Sequence, residues 1–283
     1  MKPLLVMLLA CVPAIVSAQD RFFDSNGVRI RYVDEGRGEP VILIHGNGGS
    51  IETWRSSGLL PDLARDYRVI AFDARGHGQS GKPHDASGYG AEMGRDVIRL
   101  LDHLDVERAH IVGYSMGAHI AAQLIVTHPE RFVTATLGGA AGRVRWTAEE
   151  IARAEQEAAE KERECVSRSQ IHRLAAVDGP KPSEEDIRRR SAACMADPTQ
   201  DRCAQAALSR GQKDQMITPE QAAAVTVPTL GVVGSLDAYL ADFQALKQLR
   251  PDLMLVVING ATHGSAGRRP EFIAAVRARL AAR

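Results

Sequence analysis

The sequence predicts an α/β fold with a mainly parallel sheet. Short apolar runs of strand length alternate with longer segments whose apolar residues recur every three or four positions, the pattern of strands separated by helices. The chain has 283 residues, enough for one large core or for a core with a smaller attached unit. It carries 35 basic and 35 acidic residues, and this balance gives no indication of a nucleic-acid partner or a charged membrane surface.

The first element is a targeting segment, residues 1–18. A positively charged residue precedes an apolar run over residues 4–16, and Val16-Ser17-Ala18 is typical of a signal-peptidase cleavage site. The run is too short for a comfortable bilayer crossing. We therefore expect an exported protein, periplasmic or secreted, that begins at Gln19 and has no integral membrane span. A lipid anchor on Cys11, within a loose lipoprotein box, is the alternative.

Seven strands are predicted beyond the targeting segment. The first follows an Asn26-Gly27 dipeptide, which is typical of a tight hairpin turn. Helices follow from three- and four-residue apolar spacing, clearest over residues 93–104 and in a closing helix over 272–280. The predicted strands are residues 29–33, 41–45, 69–73, 109–114, 133–137, 229–234 and 253–258.

The segment of residues 143–227 departs from this alternation. It contains no convincing strand and is rich in Ala, Glu, Arg and Gln. We expect three or four helices that form a lid over the sheet edge, inserted into a core made of residues 19–142 and 228–283. The alternative is a helical insertion in the core that does not act as a lid. Helix N-caps are predicted at Thr147, Ser183, Asp197 and Thr218.

Three cysteines, Cys165, Cys194 and Cys203, lie in the predicted mature chain. In an oxidising compartment, two of the three can pair. Cys194 and Cys203 are nearest in sequence and flank an Asp-Pro turn, so this pair is the first choice, with three unpaired thiols as the alternative. No Cys/His spacing resembles a zinc site, and no metal site is predicted.

The pentapeptide Gly113-Tyr114-Ser115-Met116-Gly117 carries the strongest chemical signal. It joins a predicted strand to a helical segment, the context of a nucleophile elbow, in which a tight turn exposes the serine hydroxyl. Glycines two positions before and after the serine are needed because Cβ atoms there would collide with the turning backbone. A plain strand-to-helix turn is the alternative. We predict that Ser115 is a nucleophile.

A serine nucleophile needs a base, and the base needs a carboxylate that holds its tautomer. At an elbow of this kind both follow the serine in the chain, the acid before the histidine. Of nine histidines, only His263 follows the last predicted strand, within a loop of small residues. Asp237 follows the end of strand 229–234, at the same sheet edge as Ser115. Asp242 is the competing acid.

Two backbone N–H groups are predicted to stabilise the oxyanion that forms during acyl transfer. One belongs to Met116, at the start of the helix after the nucleophile. The other belongs to Asn47, in a glycine-rich loop after strand 41–45. Glycines let such a loop approach the substrate closely. We expect His45 and Gly46 to shape this loop rather than to react.

Together these motifs resemble the α/β-hydrolase superfamily, in particular its single-domain, lidded branch of serine esterases and lipases. The resemblance implies a mostly parallel sheet of about eight strands, a Ser115-Asp237-His263 triad and no cofactor. It also implies that Arg75 and His77 have no catalytic part. A serine nucleophile is unlike the similar dehalogenase and epoxide-hydrolase branches, which use an aspartate there. The motifs are His45-Gly46-Asn47-Gly48-Gly49, DARGHGQS at residues 73–80, the pentapeptide around Ser115, Gly234-Ser235-Leu236-Asp237 and Thr262-His263-Gly264.

The function expected from these residues is hydrolysis of a carboxylic ester or lactone through an acyl-enzyme on Ser115. The predicted lid is poor in aromatic residues, with Trp146 near its start, which favours small or medium substrates. Perhydrolase, lyase or amidase chemistry on the same three residues is the alternative within enzymes. A non-catalytic binding protein on a hydrolase scaffold is the alternative outside them.

Overall fold

The computed structural model describes residues 20–144 and 146–282. The predicted targeting segment, its cleavage site and the alternative lipid anchor at Cys11 lie outside the described residues. No helix among those described combines the length and the hydrophobicity that a membrane crossing requires.

An eight-stranded sheet, counted within the described residues, forms the centre of the molecule. Its strand order is β1-β2-β4-β3-β5-β6-β7-β8. β1 with β2 and β2 with β4 are antiparallel, and the other pairs are parallel. The predicted fold class is confirmed. The strands are β1 (Arg21–Ser25), β2 (Val28–Gly36), β3 (Pro40–Ile44), β4 (Arg68–Phe72), β5 (Ala109–Tyr114), β6 (Phe132–Gly138), β7 (Thr229–Gly234) and β8 (Met254–Ile258).

The edge strand β1 was absent from the sequence prediction. It forms a hairpin with β2 through Asn26 and Gly27, whose φ angles of 54° and 82° are left-handed, as a two-residue hairpin turn requires. The predicted turn was therefore right, but only its second arm was recognised. The other predicted strands overlap the observed ones with ends that differ by two residues or fewer.

Helices cover both faces of the sheet, and two apolar clusters form the core. The stripe on α3, which includes Met93 and Val97, packs with α4 on one face. Trp54 of α1 and Phe272 of α11 pack on the other face. The described helices are α1 (Ile51–Ser56), α2 (Leu59–Leu63), α3 (Ala91–His103), α4 (Met116–Thr127), α5 (Ala148–Glu164), α6 (Arg168–Arg173), α7 (Glu184–Ala196), α8 (Arg202–Gly211), α9 (Pro219–Ala223), α10 (Leu240–Leu249) and α11 (Pro270–Ala281).

The helices α5 to α9 lie between β6 and β7 in the chain. Thr147, Ser183 and Thr218 accept hydrogen bonds from backbone N–H groups at the starts of α5, α7 and α9, as predicted. The predicted N-cap at Asp197 is wrong, because Asp197 ends α7 and its carboxylate accepts from Thr199 N–H at 2.8 Å. The cap of α8 is Asp201.

The disulfide joins Cys165 to Cys194, with a Cα–Cα distance of 5.9 Å. The predicted Cys194–Cys203 pair is therefore wrong. Cys165 closes α5 in a left-handed conformation, with φ of 62°, beside the last turn of α7, which carries Cys194. Cys203 lies in the first turn of α8, where its thiol is free and exposed. Nearness in sequence misled the prediction because helices separated by a turn need not bring their side chains together.

Candidate active site

Ser115 lies in a strained turn between β5 and α4. Its φ and ψ angles are 54° and −111°, and its N–H donates to the Gly138 carbonyl at 2.7 Å. A Cβ on Gly113 would lie 2.1 Å from the Gly117 carbonyl oxygen, and one on Gly117 would lie 2.0 Å from the Ile44 carbonyl oxygen. Only glycine therefore fits at either position, as the sequence pattern predicted.

His263 and Asp237 lie in line with Ser115. His263 Nε2 is 2.9 Å from Ser115 Oγ, and His263 Nδ1 is 3.0 Å from Asp237 Oδ2. The Asp237 carboxylate is buried and also accepts from the Tyr239 N–H at 3.0 Å. Because an ionised carboxylate only accepts, Nδ1 carries the imidazole proton and Nε2 is left to accept from the serine hydroxyl.

The neighbouring Tyr114 fixes the loop that carries His263. Its hydroxyl donates to the His263 carbonyl oxygen, and the two rings lie 5.8 Å apart. Burial raises the pKa of the Tyr114 phenol, so the hydroxyl keeps its proton as a donor. The residue before the serine thus holds the backbone of the histidine.

The competing acid, Asp242, lies on α10 and lines a cavity of about 600 Å³ whose lining does not include Ser115. Among the described residues, the carboxylate that contacts His263 is Asp237. Residues 20–144 and 146–282 also contain no group of three or more His, Cys, Asp or Glu side chains arranged to hold a metal ion.

The two predicted oxyanion donors, Asn47 and Met116, line one small cavity together with Ser115. Met116 is the first residue of α4, where backbone N–H groups have no partner within the helix. Within the described part of the chain, neither the Asn47 nor the Met116 N–H donates to a protein acceptor. Both donors are therefore available to a ligand at Ser115.

His77 holds the side chain of Asn47. Burial lowers the pKa of His77 to about 3, so the ring is neutral, with Nδ1 at 3.1 Å from the Arg75 carbonyl and Nε2 at 3.1 Å from the Asn47 amide. The Asn47 atom at this distance is Oδ1, and because a neutral ring carries one N–H, His77 donates to one of these two oxygens, the Arg75 carbonyl or Asn47 Oδ1. His77 acts on the loop through Asn47, and this positioning contact was not predicted from the sequence.

His45 shapes the same loop from within the core. Its Nδ1 donates to the Gly46 carbonyl at 2.8 Å, and its Nε2 accepts from the Ala74 N–H at 3.0 Å. Burial lowers the pKa of His45, so the ring is neutral and both nitrogens are occupied. These contacts agree with the expected structural role of His45 and Gly46.

Ser115 lies between two cavities. One, of about 290 Å³, is lined by Trp54, Tyr114 and Leu174 among others. The other, of about 40 Å³, is strongly polar, and Arg143 and Trp146 are among the residues that line it. From the sequence, Arg143 was identified only as the first residue of the helical segment 143–227. A usable signal was its position directly after the small residues 138–142 at the carboxyl end of β6, the sheet edge that carries Ser115.

Comparison with known proteins agrees with this architecture. A family model described as the alpha/beta hydrolase fold matches residues 39–266. The chain therefore belongs to the α/β-hydrolase family, as its motifs indicated.

Curated relatives match over part of their length. The chain is 43% identical over 122 residues to a dihydrolipoyllysine-residue acetyltransferase component of the acetoin cleaving system from Cupriavidus necator, covering 43% of this chain and 32% of the relative. It is 41% identical over 118 residues to a 2-hydroxymuconate semialdehyde hydrolase from Pseudomonas sp., covering 41% of each. The chain thus spans from a third to two-fifths of the length of these relatives.

Solved structures match over nearly the whole chain. Among them is an N-acyl homoserine lactone degrading enzyme that is 27% identical, with a TM-score of 0.71, and the match covers 91% of this chain and 99% of that one.

Proposed function

We propose that the protein is a serine hydrolase that cleaves a small or medium carboxylic ester or lactone. The observation that carries this proposal is the alignment of Ser115, His263 and Asp237, with successive contacts of 2.9 and 3.0 Å. A serine hydroxyl becomes a useful nucleophile when a neutral imidazole accepts its proton and a buried carboxylate stabilises the imidazolium that forms. The contacts among these three side chains support the proposal.

In the proposed mechanism, Ser115 Oγ attacks the ester carbonyl while His263 Nε2 takes its proton. The tetrahedral intermediate collapses as His263 returns that proton to the leaving alcohol, which leaves an acyl group on Ser115. A water molecule then attacks the acyl carbon, His263 takes the water proton, and the acid is released with Ser115 restored. In a lactone, the leaving alcohol stays attached to the acyl group.

The Asn47 and Met116 N–H groups would bind the oxyanion in both tetrahedral intermediates. Each is free of a protein acceptor among the described residues, and both residues line the cavity at Ser115. Removal of one such donor costs about 2.7–4 kcal/mol of transition-state stabilisation. The contact between His77 and Asn47 supports this role because it limits the movement of the loop that carries the first donor.

The cavities and the relatives support the proposed substrate class. The larger cavity, of about 290 Å³, suits a small or medium acyl or alcohol group. Leu174 and Gln170 of the helical segment line it, so we propose that residues 143–227 act as a lid on the core. The name of the structure matched at 27% identity, a lactone-degrading enzyme, supports the extension from open esters to lactones.

We also propose that the protein works after export across a membrane. The composition of residues 1–18 supports this, and so does the disulfide between Cys165 and Cys194, because such bonds persist in oxidising compartments. Expression of the full chain, followed by cell fractionation and N-terminal sequencing, tests the proposal. An N-terminus at Gln19 in the exported fraction supports it, and a full-length cytosolic product contradicts it.

Hydrolysis assays on a panel of esters and lactones test the proposed activity. The panel contains p-nitrophenyl esters of increasing acyl length, γ-butyrolactone and acyl homoserine lactones, with anilides and hydrogen peroxide added to detect amidase and perhydrolase activity. We expect ester or lactone turnover that falls at least about 10³-fold in Ser115→Ala. The exposed Ser56 gives the matched control, Ser56→Ala. Turnover that survives in Ser115→Ala, or that is confined to anilides, contradicts the proposal.

A further inference from the structure

Three buried polar nitrogens converge on the small cavity beside Ser115. Arg143 Nε, Trp146 Nε1 and His119 Nδ1 are each shielded from solvent, and none has a hydrogen-bond partner among the described residues. All three residues line the cavity of about 40 Å³. A buried donor without an acceptor is costly in free energy. Two such donors, with a third unpartnered nitrogen, mark a place where an acceptor would be stabilised.

The cavity also carries an uncompensated positive charge. Arg173 forms an ion pair with Glu157 at 2.8 Å, and Arg153 lies 3.7 Å from Glu150. These four residues line the cavity together with Arg143. The described residues that line this cavity therefore include three arginines and two glutamates.

Arg143 is the cation left over. It has no carboxylate within 4.0 Å among the described residues. It donates to the neutral side chain of Gln212 and lies 5.2 Å from the centre of the Trp146 ring. Burial lowers the pKa of Arg143, yet an arginine stays protonated at neutral pH.

His119 does not compensate this charge. Burial and the nearby arginines hold the pKa of His119 well below its ordinary value, so its ring is neutral and contributes only a hydrogen-bonding nitrogen. The polar half of the site therefore combines a fixed cation with neutral N–H groups. This is the donor set that suits an anion with planar oxygens, such as a carboxylate.

We propose that Arg143 and Trp146 bind a carboxylate of the substrate, so that the natural substrate is an anionic ester or lactone. The inference rests on the proposed function and narrows its substrate class. Asn47, Met116 and Ser115 line the same cavity, so the carboxylate lies only a few bonds from the carbonyl that Ser115 attacks. The small volume admits a carboxylate but not a ring or a long chain, which belong in the larger cavity.

A matched pair of esters tests the selectivity. Monomethyl succinate carries a carboxylate, and methyl succinamate replaces it with an amide of nearly the same shape. We expect the wild type to prefer the anionic ester in kcat/KM, and Arg143→Gln to lower that ratio about 100-fold, the effect of removing one partner of a desolvated charge pair. Arg143→Lys should retain part of the preference. Arg188→Gln, at an exposed arginine of α7, is the control and should leave the ratio unchanged.

Calorimetry separates this inference from the proposed function, because binding needs no turnover. Monomethyl succinate should bind Ser115→Ala at least about tenfold more tightly than methyl succinamate does, and Arg143→Gln in that background should remove the difference. Thermal unfolding checks that each variant is folded, and Arg143→Lys gives the second variant if Arg143→Gln unfolds. Equal binding of the two esters, or a preference that survives Arg143→Gln, overturns the carboxylate site. Anion binding without hydrolysis of any ester supports the carboxylate site but contradicts the hydrolase proposal.

Discussion

Replacement of Asp237 by asparagine should disable the site through the tautomer of His263. The Asp237 carboxylate makes two kinds of contact: Oδ1 accepts from the Tyr239 N–H at 3.0 Å and lies 3.2 Å from His263 Nδ1, and Oδ2 lies 3.0 Å from the same nitrogen. In Asp237→Asn, the Tyr239 N–H requires an acceptor, so the amide oxygen takes the Oδ1 position. The amide NH₂ group then faces Nδ1 and donates to it.

His263 must in turn accept at Nδ1 and carry its proton on Nε2. That proton points at Ser115 Oγ, only 2.9 Å away, so the imidazole is unable to accept the serine proton. We expect kcat to fall about 10⁴-fold, which is the cost of the wrong tautomer in a serine triad, with KM nearly unchanged. Because the replacement preserves shape, the free energy of unfolding should change by only about 1 kcal/mol.

The assay compares kcat for a p-nitrophenyl ester among the wild type, Asp237→Asn and Asp242→Asn. Asp242 is the matched control because it is a nearby carboxylate that lines neither of the two cavities at Ser115. Its variant should stay within about threefold of the wild type, because a residue outside the reacting set changes the barrier by less than 1 kcal/mol. If Asp237→Asn keeps more than about a tenth of the wild-type kcat, or if Asp242→Asn is the variant that fails, the tautomer argument is refuted.

Three further predictions concern the stability of the fold. Gly117→Ala places a Cβ 2.0 Å from the Ile44 carbonyl oxygen, and we expect a loss of more than about 3 kcal/mol of unfolding free energy in urea titration; wild-type stability would contradict the steric argument. The pKa of Lys161 is lowered to about 8 by burial, so the unfolded chain binds a proton between pH 8 and 10.5 that the folded chain does not, and stability should rise with pH across that window. Lys161→Met should abolish this rise and add about 2 kcal/mol at pH 7, and an unchanged pH profile would show that the lysine is not the cause. The Cys165–Cys194 disulfide closes a loop with a separation of 29 residues, so its reduction should lower the unfolding free energy by about 3 kcal/mol. Thermal melts with and without reductant measure this loss. A Cys165→Ser variant that still melts at the wild-type temperature would contradict the prediction.

The sequence was sufficient for those features that local backbone requirements define. The turn around Ser115 needs glycine on both sides, and the loop after β3 needs glycine where its backbone packs closely against neighbouring atoms. Both requirements produce glycine patterns that can be recognised in the sequence alone. The placement of Asp237 and His263 beside Ser115 could be predicted because chain order and strand ends place their loops at one sheet edge. The short edge strand β1 was missed because its five residues offered too few positions for a clear alternation.

Features that depend on packing between distant segments were not accessible in the same way. The Cys165–Cys194 disulfide depends on how α5 and α7 pack together, and separation in sequence carries no information on that distance. The unpaired charge of Arg143 depends on which neighbouring arginines find carboxylates. Which arginine pairs with which carboxylate depends on the folded cavity, and residue spacing in the sequence does not predict it.

The central claim is that Ser115 is an activated nucleophile. The most direct measurement is fluorophosphonate labelling of the protein that begins at Gln19, read by intact mass beside Ser115→Ala. The contact of 2.9 Å between Ser115 Oγ and His263 Nε2 predicts a single covalent adduct on the wild type and none on the variant. Folded wild-type protein that takes up no label, or a Ser115→Ala variant that takes up as much, would contradict the claim.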